Sequence, residues 1–336
     1  MKRVAINGLG RIGNQVLRHY MANLPKNCEI VAANTSSVED AAYLLKYDSV
    51  HGKAGFDIKT KGNEKLTIGG KEITIVSSHN ALELPWRELD IDIVLECTGH
   101  YTDGNLAKQH LEAGAKKVII SAPGKNIDKT IVLGVNQNEY DPKNHHILSN
   151  ASCTTNSLAP AMKVLEDNFG VENAMITTTH AYTSSQTTVD KRAKKRRRGR
   201  AAAVNIIPTT TGAAIATTEV IPSLKGKMEA MALRVPVPDG AITQIVALLN
   251  KSVSVEQINN AFLKASEEEL KGILQITMDE VVSSDILGNL HSSIIDGLST
   301  SVIGGKMIKV LAWYDNEYGY SQRLLELADF IASKME

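Results

Sequence analysis

The sequence predicts an α/β protein in which a doubly wound parallel sheet is followed by an α+β domain with a mainly antiparallel sheet. Three observations carry this prediction. Short apolar strand patterns alternate with helical patterns through residues 1–150, a glycine motif joins the first strand to the first helix, and longer strand patterns lie close together afterwards. Alternation is typical of parallel sheets, because each parallel connection needs a crossover, usually a helix.

The first strand pattern, Arg3–Asn7, runs directly into Gly8-Leu9-Gly10-Arg11-Ile12-Gly13 and then into a helical pattern. At a strand-to-helix junction these glycines allow a tight turn and a close approach of a pyrophosphate to the helix N-terminus. The motif therefore predicts a Rossmann-type dinucleotide site that includes Gly8, Gly10, Arg11 and Ile12.

Further strand patterns extend this predicted sheet, with a helix predicted over Asn105–Ala113 between two of them. They are Ile30–Ala33, Ile91–Leu95, Val118–Ile120 and Thr130–Val135. Ligands of such sheets bind at the carboxyl ends of the strands. We therefore expect Thr98 and Ser121, which follow two of the strands, to contact the cofactor, and we interpret Cys97 as a packing residue.

The second strand pattern ends in Ala33-Asn34-Thr35-Ser36-Ser37, with no carboxylate before Glu39. NAD-binding sheets usually place Asp or Glu here, on the ribose 2′-hydroxyl, and a carboxylate would repel the 2′-phosphate of NADP. Asn34 and Thr35 therefore favour use of NADP, alone or alongside NAD. The alternative is that Asn34 alone holds the ribose of NAD and the serines form only a turn.

One cysteine stands among small polar residues, in Ser149-Asn150-Ala151-Ser152-Cys153-Thr154-Thr155-Asn156. The residues before it indicate the cap of a helix whose first turn carries the thiol. A helix N-terminus, a cation or a histidine can lower a thiol pKa, which makes the thiol an effective nucleophile. We predict Cys153 as a catalytic nucleophile and His180, 27 residues later, as its partner. The alternative is an inert buried thiol with a hydrogen-bonded core histidine.

After Cys153 the predicted elements change in character, to long strands with helices on one face. The predicted strands are Ala174–Thr179, Met228–Val235, Ile242–Asn250, Gln275–Asp279 and Lys306–Trp313. The predicted helices are Ala159–Phe169, Val255–Ala265 and Ser321–Met335. Such a mainly antiparallel sheet suits a catalytic domain.

Composition limits the function further. The 336 residues carry 37 Lys and Arg against 37 Asp and Glu, so global charge does not favour nucleic acid or a membrane. Three cysteines form no even-numbered framework, which is typical of a reducing compartment. The N-terminus enters a strand at once and the chain has no long apolar run, so we expect a cytoplasmic protein. Its histidines show no metal-ligand spacing, and we predict no metal site.

Several of these residues resemble phosphorylating glyceraldehyde-3-phosphate dehydrogenase. The matching segments are Ala5–Gly13, Leu44–Asp48, Ser149–Asn156, His180–Thr183, Asn205–Ala214, Leu233–Gly240 and Trp313–Arg323. The resemblance implies a dinucleotide-binding domain at 1–151, a catalytic domain at 152–316 with an S-shaped loop at about 181–204, and a C-terminal helix, 317–336, that packs back on the first domain. It also implies a homotetramer in which this loop borders a neighbouring cofactor site.

The resemblance further implies a reaction and roles for individual residues. Cys153 attacks glyceraldehyde 3-phosphate, His180 acts as base during hydride transfer, and inorganic phosphate cleaves the resulting thioester in a reversible reaction. The direction of flux, in glycolysis or in gluconeogenesis, stays open. The implied phosphate-binding residues are Thr183 and Arg234 for the substrate and Ser152, Thr211 and Gly212, with Thr154, for the attacking phosphate. Asn316 would orient the nicotinamide carboxamide.

The chain departs from the family pattern in three places: Leu9 replaces an aromatic residue, Ser157 replaces a second cysteine, and a basic run occupies residues 191–200. Lys191 and Arg192 stand where NAD-specific members commonly have Leu-Pro, which again favours NADP. The alternative is a solvated loop without cofactor contact. Two rival functions stay open, erythrose-4-phosphate dehydrogenase and a nucleic-acid-binding protein that uses the basic run. The run lacks interleaved aromatic residues, which argues against the latter.

Overall fold

A computed structural model describes residues 1–335 and divides into two compact units. The first unit comprises Met1–Ile131, Gln137–Ser152 and the C-terminal segment from Tyr320. The second comprises Val132–Asn136 and Cys153–Gly319. Among the helices of the described residues, none combines the length and the apolar character that a membrane crossing requires.

The first unit is built on a nine-stranded sheet with the order β10-β11-β9-β8-β1-β2-β7-β6-β5. Its strands are β1 (Lys2–Asn7), β2 (Cys28–Asn34), β5 (Ile58–Lys61), β6 (Lys65–Ile68), β7 (Lys71–Val76), β8 (Ile93–Glu96), β9 (Lys117–Ile120), β10 (Lys129–Thr130) and β11 (Ile147–Ser149), and a separate pair is formed by β3 (Tyr47–Asp48) and β4 (Gly52–Lys53). Its helices before residue 150 are α1 (Arg11–Ala22), α2 (Val38–Lys46) and α3 (Gly104–Glu112).

All pairings from β10 to β7 are parallel, and only β5, β6 and β7 pair antiparallel. The chain passes from β1 to β2 on one side and later returns to β8 on the other side. The carboxyl ends of β1 and β8 therefore lie where the strand order reverses, which is the usual ligand position in such sheets. The predicted doubly wound sheet is confirmed.

The second unit contains a seven-strand path with the order β13-β14-β12-β15-β19-β17-β16, and β18 pairs with β19. The strands are β12 (Val171–Ala181), β13 (Ile207–Thr210), β14 (Met228–Val235), β15 (Ala241–Leu249), β16 (Leu274–Thr277), β17 (Ser293–Asp296), β18 (Ser301–Ile303) and β19 (Met307–Tyr314). The helices are α4 (Cys153–Phe169), α5 (Ala213–Val220) and α6 (Val255–Glu267). The sheet is mainly antiparallel, as predicted, with β12–β14 and β16–β17 as its parallel pairs.

The core of the second unit lies between this sheet and its helices. Leu158, Met162 and Leu165 on α4 pack with Ile245 on β15 and Phe262 on α6, and all are buried. The last helix, α7 (Tyr318–Lys334), begins in the second unit and continues in the first. Leu324, Leu325, Leu327, Ala328 and Ile331 of this helix are buried, and Phe330 is half-buried.

Two sequence predictions of element length were wrong. The strand predicted over Thr130–Val135 ends at Thr130, because a turn follows in which Asn136 accepts a hydrogen bond from the Val132 amide and Gly134 takes a left-handed φ of +83°. The helix predicted from Ala159 begins at Cys153 and continues through Pro160 without interruption. The cap prediction for Asn150-Ala151-Ser152 therefore located the start better than the amphipathic pattern did.

Candidate active site

The first unit contains a cavity of about 740 Å³ at the carboxyl ends of its central strands. The glycine turn after β1 forms one wall. Gly8 has a φ of +99°, and a Cβ there would lie 2.8 Å from Thr98 Cγ2. A Cβ on Gly13 would lie 2.2 Å from the Gly8 carbonyl oxygen, so only glycine lets α1 begin this close to the strand. The first turn of α1 thus begins beside the cavity, where a pyrophosphate is favoured.

The structure brings five of the eleven residues predicted for the cofactor together at this cavity. Gly8, Gly10, Asn34, Thr35 and Thr98 line the cavity. Its other lining residues are Asn7, Leu9, Ser36, Ser77, Ser78, His79, Ala81, Leu84, Cys97, His100, Tyr101, Leu106 and Gln109. This lining contains no carboxylate and no Lys or Arg. The end of β2 therefore lacks the charge that would repel a 2′-phosphate.

Two predicted cofactor residues take other positions. The Arg11 side chain makes a two-point ion pair with Asp48, whose carboxylate also accepts hydrogen bonds from the Val50 and His51 amides at 2.8 and 2.9 Å. Burial raises the pKa of Asp48, but Arg11 and these amides outweigh it and hold the pKa at about 2. Ser121 bonds through its amide to the Glu96 carbonyl, and its hydroxyl contacts the Cys97 thiol.

Burial of the Cys97 thiol raises its pKa to about 12, so this thiol stays protonated. That protonation agrees with the interpretation of Cys97 as a packing residue. A reactive thiol would need the opposite shift.

The chain enters α4 through Ala151, whose backbone is strained. Ala151 has a φ of +54°, a conformation that costs a residue with a Cβ about 1–2 kcal/mol. The Ser149 hydroxyl accepts the Ala151 amide at 2.9 Å, and the Tyr320 hydroxyl donates to the Ala151 carbonyl at 3.0 Å. These two bonds hold the turn after which α4 begins at Cys153. Tyr320 thus has a defined polar role at this turn.

In the second unit the predicted nucleophile and base are adjacent. Cys153 Sγ lies 3.4 Å from His180 Nε2. His180 Nδ1 lies 2.8 Å from the Ala181 carbonyl oxygen and 3.0 Å from Arg234 Nη1. The shorter contact assigns the proton to Nδ1, which donates to the carbonyl, so the Nε2 lone pair faces the thiol.

Both groups of this pair are neutral in the resting site. Burial raises the pKa of Cys153 to about 11 although the Arg234 cation and Thr154 act in the opposite direction. Burial, followed by the Arg234 cation, lowers the pKa of His180 to about 3. The first turn of α4 and the Arg234 cation do lower the thiol pKa, as the sequence suggested, but the loss of solvation is larger and the net shift of the pKa is upward.

The predicted substrate-phosphate residues also come together. Arg234 Nη1 donates to the Ala181 carbonyl at 2.7 Å and lies 3.4 Å from the Thr183 hydroxyl. The Thr183 hydroxyl bonds to Ser185 at 2.9 Å, and the Arg198 guanidinium approaches Ser185 at 3.4 Å. Two arginines thus flank one pair of hydroxyls, an arrangement suited to a phosphate. Sequence reasoning missed Arg198, because it lies within a run of cations that look alike.

Some polar atoms of the second unit are buried without a hydrogen bond among the described residues. They include Arg234 Nε and Asn316 Oδ1. An unpaired buried donor or acceptor costs about 1–3 kcal/mol, so such atoms point to a missing ligand. Arg234 Nε–H suits an anion and Asn316 Oδ1 suits an amide N–H. Of the other predicted phosphate residues, Gly212 caps α5 and the Thr211 hydroxyl accepts the Ala213 amide.

Tyr314 is a site residue that the sequence did not reveal. Its hydroxyl bonds to the Thr154 hydroxyl at 2.9 Å, and its ring meets the His180 ring edge-on at a centroid distance of 6.0 Å. Burial raises the pKa of Tyr314, so the phenol stays neutral. The Thr154 side chain is thus turned to Tyr314, and both its amide and its hydroxyl reach the thiol. The sequence did contain one signal for this position. Side chains alternate between the two faces of a strand, so Tyr314 lies on the same buried face of β19 as Ala312.

The basic run forms a closed loop in the second unit. The Lys191 amide bonds to the Gly199 carbonyl at 2.8 Å, and Arg200 pairs with Asp190 at 2.7 Å. Lys191, Arg192, Lys194 and Arg196 line a cavity of about 640 Å³ together with Ala193. Within the described chain, none of these four cations makes an ion pair. The loop therefore offers a cationic surface to an anion.

Two family descriptions match this chain. "Glyceraldehyde 3-phosphate dehydrogenase, NAD binding domain" matches residues 2–104, and "Glyceraldehyde 3-phosphate dehydrogenase, C-terminal domain" matches residues 152–316. The glyceraldehyde-3-phosphate dehydrogenase of Geobacillus stearothermophilus is 53% identical over 333 residues, which cover 99% of this chain and 98% of the relative. Those of Priestia megaterium (strain DSM 319 / IMG 1521) and, as glyceraldehyde-3-phosphate dehydrogenase 2, of Bacillus subtilis (strain 168) are 50% and 48% identical, with the same coverage. The chain belongs to the glyceraldehyde-3-phosphate dehydrogenase family, as the sequence predicts.

Proposed function

We propose that this protein catalyses the reversible, phosphorylating oxidation of glyceraldehyde 3-phosphate to 1,3-bisphosphoglycerate. Its family membership supports the enzyme class, an NAD-dependent oxidoreductase. The observation that carries the reaction is the 3.4 Å contact of the Cys153 thiol with the lone pair of His180 Nε2, beside the Arg234 guanidinium. A nucleophile, a base and an anion-binding cation are the groups that an aldehyde with a phosphate needs.

The first step forms a thiohemiacetal. Cys153 Sγ bonds to the aldehyde carbon, and the thiol proton passes through His180 Nε2 to the former carbonyl oxygen. The resting pair is neutral, so the thiol must lose its proton during this step. Besides burial, the Arg234 cation contributes to the low pKa of His180. A substrate phosphate bound to Arg234 and Thr183 would neutralise that positive charge, raise the pKa of His180 and make the imidazole a stronger base.

The second step is the oxidation. His180 Nε2 accepts the hydroxyl proton while the hydrogen on the same carbon leaves with its electron pair, and a thioester on Cys153 results. Bound NAD(P) supplies the acceptor for that hydride. The first unit fits the nucleotide part of such a cofactor, because the glycine turn allows a backbone approach at Gly8 and the cavity has room for the adenosine half. In the second unit, the unpaired Asn316 Oδ1 suits a carboxamide N–H.

The third step regenerates the thiol. An oxygen of inorganic phosphate bonds to the thioester carbon, the carbon–sulfur bond breaks, and the thiolate takes the proton from His180. Gly212 at the start of α5, Thr211 and Ser152 are the proposed partners of this phosphate. A helix N-terminus and hydroxyl donors favour an anion at that point.

We propose that the enzyme accepts NADP as well as NAD and favours NADP. The cavity lining around Thr35 and Ser36 carries no carboxylate, which supports the proposal. The exposed cations Lys191 and Arg192 lie on a loop that, by resemblance, borders a neighbouring subunit's cofactor. A 2′-phosphate there would gain charge-assisted hydrogen bonds that NAD lacks.

The proposed assembly is a cytoplasmic homotetramer. A shallow groove on the second unit's sheet exposes apolar side chains, with Met175 69% and Met307 48% exposed. Exposed apolar faces of this kind are typical of subunit contacts. Size-exclusion chromatography with light scattering tests the assembly, and a monomer in solution would contradict it.

Two rival functions are tested by the same preparation. Erythrose-4-phosphate dehydrogenase would show the higher kcat/KM with erythrose 4-phosphate. A nucleic-acid-binding role for residues 191–200 would show salt-sensitive retention of RNA or DNA on a filter, and absence of binding at low salt would remove it.

The deciding experiment measures initial rates with glyceraldehyde 3-phosphate, using NAD and NADP separately, with and without inorganic phosphate. Phosphate-dependent reduction of either cofactor supports the reaction, and a higher rate with NADP supports the cofactor proposal. A higher rate with NAD keeps the reaction and overturns the preference. No reduction by folded protein with a titratable Cys153 would overturn the proposed function.

A further inference from the structure

Next to Asn7 and Thr98 in the lining of the first unit's cavity, a chain of buried side chains runs from Trp86 through His110 to Glu96. Trp86 Nε1 lies 3.0 Å from His110 Nδ1, and His110 Nε2 lies 3.0 Å from Glu96 Oε2. The side chains of His110 and Glu96 are both 0% exposed. Neither residue lines the cavity, and the proposed reaction uses neither of them.

The indole fixes where the proton of His110 sits. A tryptophan N–H only donates, so His110 Nδ1 must accept and its single proton must be on Nε2. That proton points at Glu96. The 3.4 Å contact between Asn7 Nδ2 and His110 Nε2 then joins two donors and is not a hydrogen bond. His110 is therefore held as one neutral tautomer.

Glu96 is saturated as an acceptor. Its Oε2 accepts His110 Nε2 at 3.0 Å and Asn7 Nδ2 at 2.5 Å. Its Oε1 accepts the Thr98 amide at 2.7 Å and also the Thr98 hydroxyl. Four donors directed at one carboxyl group require its ionised form, because the O–H of a protonated carboxyl would point at one of these donors and form no hydrogen bond.

This arrangement sets the orientation of the amides in the cavity. Because Asn7 turns its Nδ2 to Glu96, its Oδ1 is left for Asn34 Nδ2 at 2.7 Å. Asn34 Nδ2 also donates to the Ser78 carbonyl at 2.8 Å, and Asn34 Oδ1 accepts the Ser78 amide at 3.0 Å. Asn7, Asn34, Ser78 and Thr98 all line the cavity. Glu96, held by the single tautomer of His110, thus fixes the amide orientation of Asn7 and, through Asn7, that of Asn34, and it also holds the Thr98 hydroxyl.

We propose that Glu96 and His110 are positioning residues for the dinucleotide: they hold the amides and the hydroxyl of the cavity floor in the orientation that binds the cofactor. This inference rests on the proposed use of NAD(P). It assigns a binding role to two residues that do not contact the cofactor.

The test is calorimetric titration of the full-length protein with NAD, which needs no turnover. Glu96→Gln keeps the shape of the side chain but directs an amide N–H at one of the four donors. His110→Leu removes the hydrogen bonds of His110 to Trp86 and to Glu96. In His110→Gln, the new amide offers an acceptor to Trp86 and a donor to Glu96. We expect Glu96→Gln and His110→Leu to weaken NAD binding about tenfold, and His110→Gln to stay within about threefold of the wild type.

Steady-state kinetics separates positioning from a general loss of structure. The KM for NAD is expected to rise in Glu96→Gln and His110→Leu by more than kcat falls, with the KM for glyceraldehyde 3-phosphate unchanged. Equal loss of affinity in His110→Gln and His110→Leu would overturn the inference, as would wild-type affinity in Glu96→Gln. If His110→Leu does not fold, Glu96→Gln and His110→Gln still decide. Absence of binding of both NAD and NADP by the wild-type protein would instead refute the proposed function.

Discussion

Each unit contains a buried histidine, His110 beside the Glu96 carboxylate in the first and His180 beside the Cys153 thiol in the second. The two sites differ in how many of their polar atoms have hydrogen-bond partners. His110 has an acceptor for its proton and a donor for its lone pair, and its partner Glu96 accepts four hydrogen bonds. His180 directs its lone pair at the Cys153 thiol, and the neighbouring Arg234 Nε has no hydrogen bond within residues 1–335.

This difference separates the proposed positioning site around His110 from the proposed reacting site around His180. A network in which every donor and acceptor is paired has one stable arrangement of protons, because moving any proton would leave a buried group without a hydrogen bond. An unsaturated site with a neutral thiol and a neutral imidazole can exchange protons, and its unpaired atoms gain partners when a ligand binds. Burial by itself therefore does not distinguish the proposed catalytic histidine from His110, whereas the unpaired Arg234 Nε beside His180 does.

The largest effect is expected from removal of the thiol. Cys153→Ser should lower kcat by roughly 10³-fold or more, because a hydroxyl is far less nucleophilic than a thiol at neutral pH. Initial rates with saturating NAD measure it. Cys28→Ala, a buried substitution in β2 away from both sites, is the matched control and should retain activity. Comparable rates in Cys153→Ser and the wild type would remove Cys153 from the chemistry.

Arg234→Leu should raise the KM for glyceraldehyde 3-phosphate by roughly 10²-fold, since a charge-assisted contact with the substrate phosphate is lost. The same change removes the cation that contributes to the depressed pKa of His180. The acidic limb of the rate profile should therefore move to higher pH. An unchanged KM with an unchanged profile would show that Arg234 serves only the fold.

The cofactor preference should respond to the double variant Thr35→Asp with Arg192→Pro. The new carboxylate repels a 2′-phosphate and the lost cation no longer attracts it, so kcat/KM with NADP should fall about tenfold relative to NAD. The kcat/KM with NAD is the internal control. If the ratio of the two values is unchanged in the double variant, the preference has another origin.

The last prediction concerns acid stability and not activity. The pKa of His180 falls from an ordinary 6.5 to about 3 on folding, so its contribution to stability is present above pH 6.5 and is lost as the pH falls through about 3. The stability advantage of the wild type over His180→Asn should therefore shrink by about 2 kcal/mol between pH 7 and pH 4.5. Urea unfolding at both pH values measures this difference. The exposed His79→Asn is the control, and an equal loss in both variants would contradict the assignment.

The sequence by itself determined the two sheets, the glycine turn and the pairing of Cys153 with His180. Periodicity and the glycine motif are local signals, and they located most of the predicted strands to within a few residues. The polar residues before Cys153, and not the amphipathic pattern, located the start of α4. The approach of Arg234 to Thr183 followed from family resemblance, since nothing local joins residues so distant in the chain.

Only the tertiary structure decided the protonation states and the orientation of the polar atoms. The raised pKa of Cys153, the role of Tyr314 and the network of Glu96 with His110 depend on burial and on contacts between distant strands and helices. Solvation loss and hydrogen-bond direction are set by all neighbours in three dimensions. A residue's type and its position in a motif therefore predict that it is at the site, and its surroundings determine what it does there.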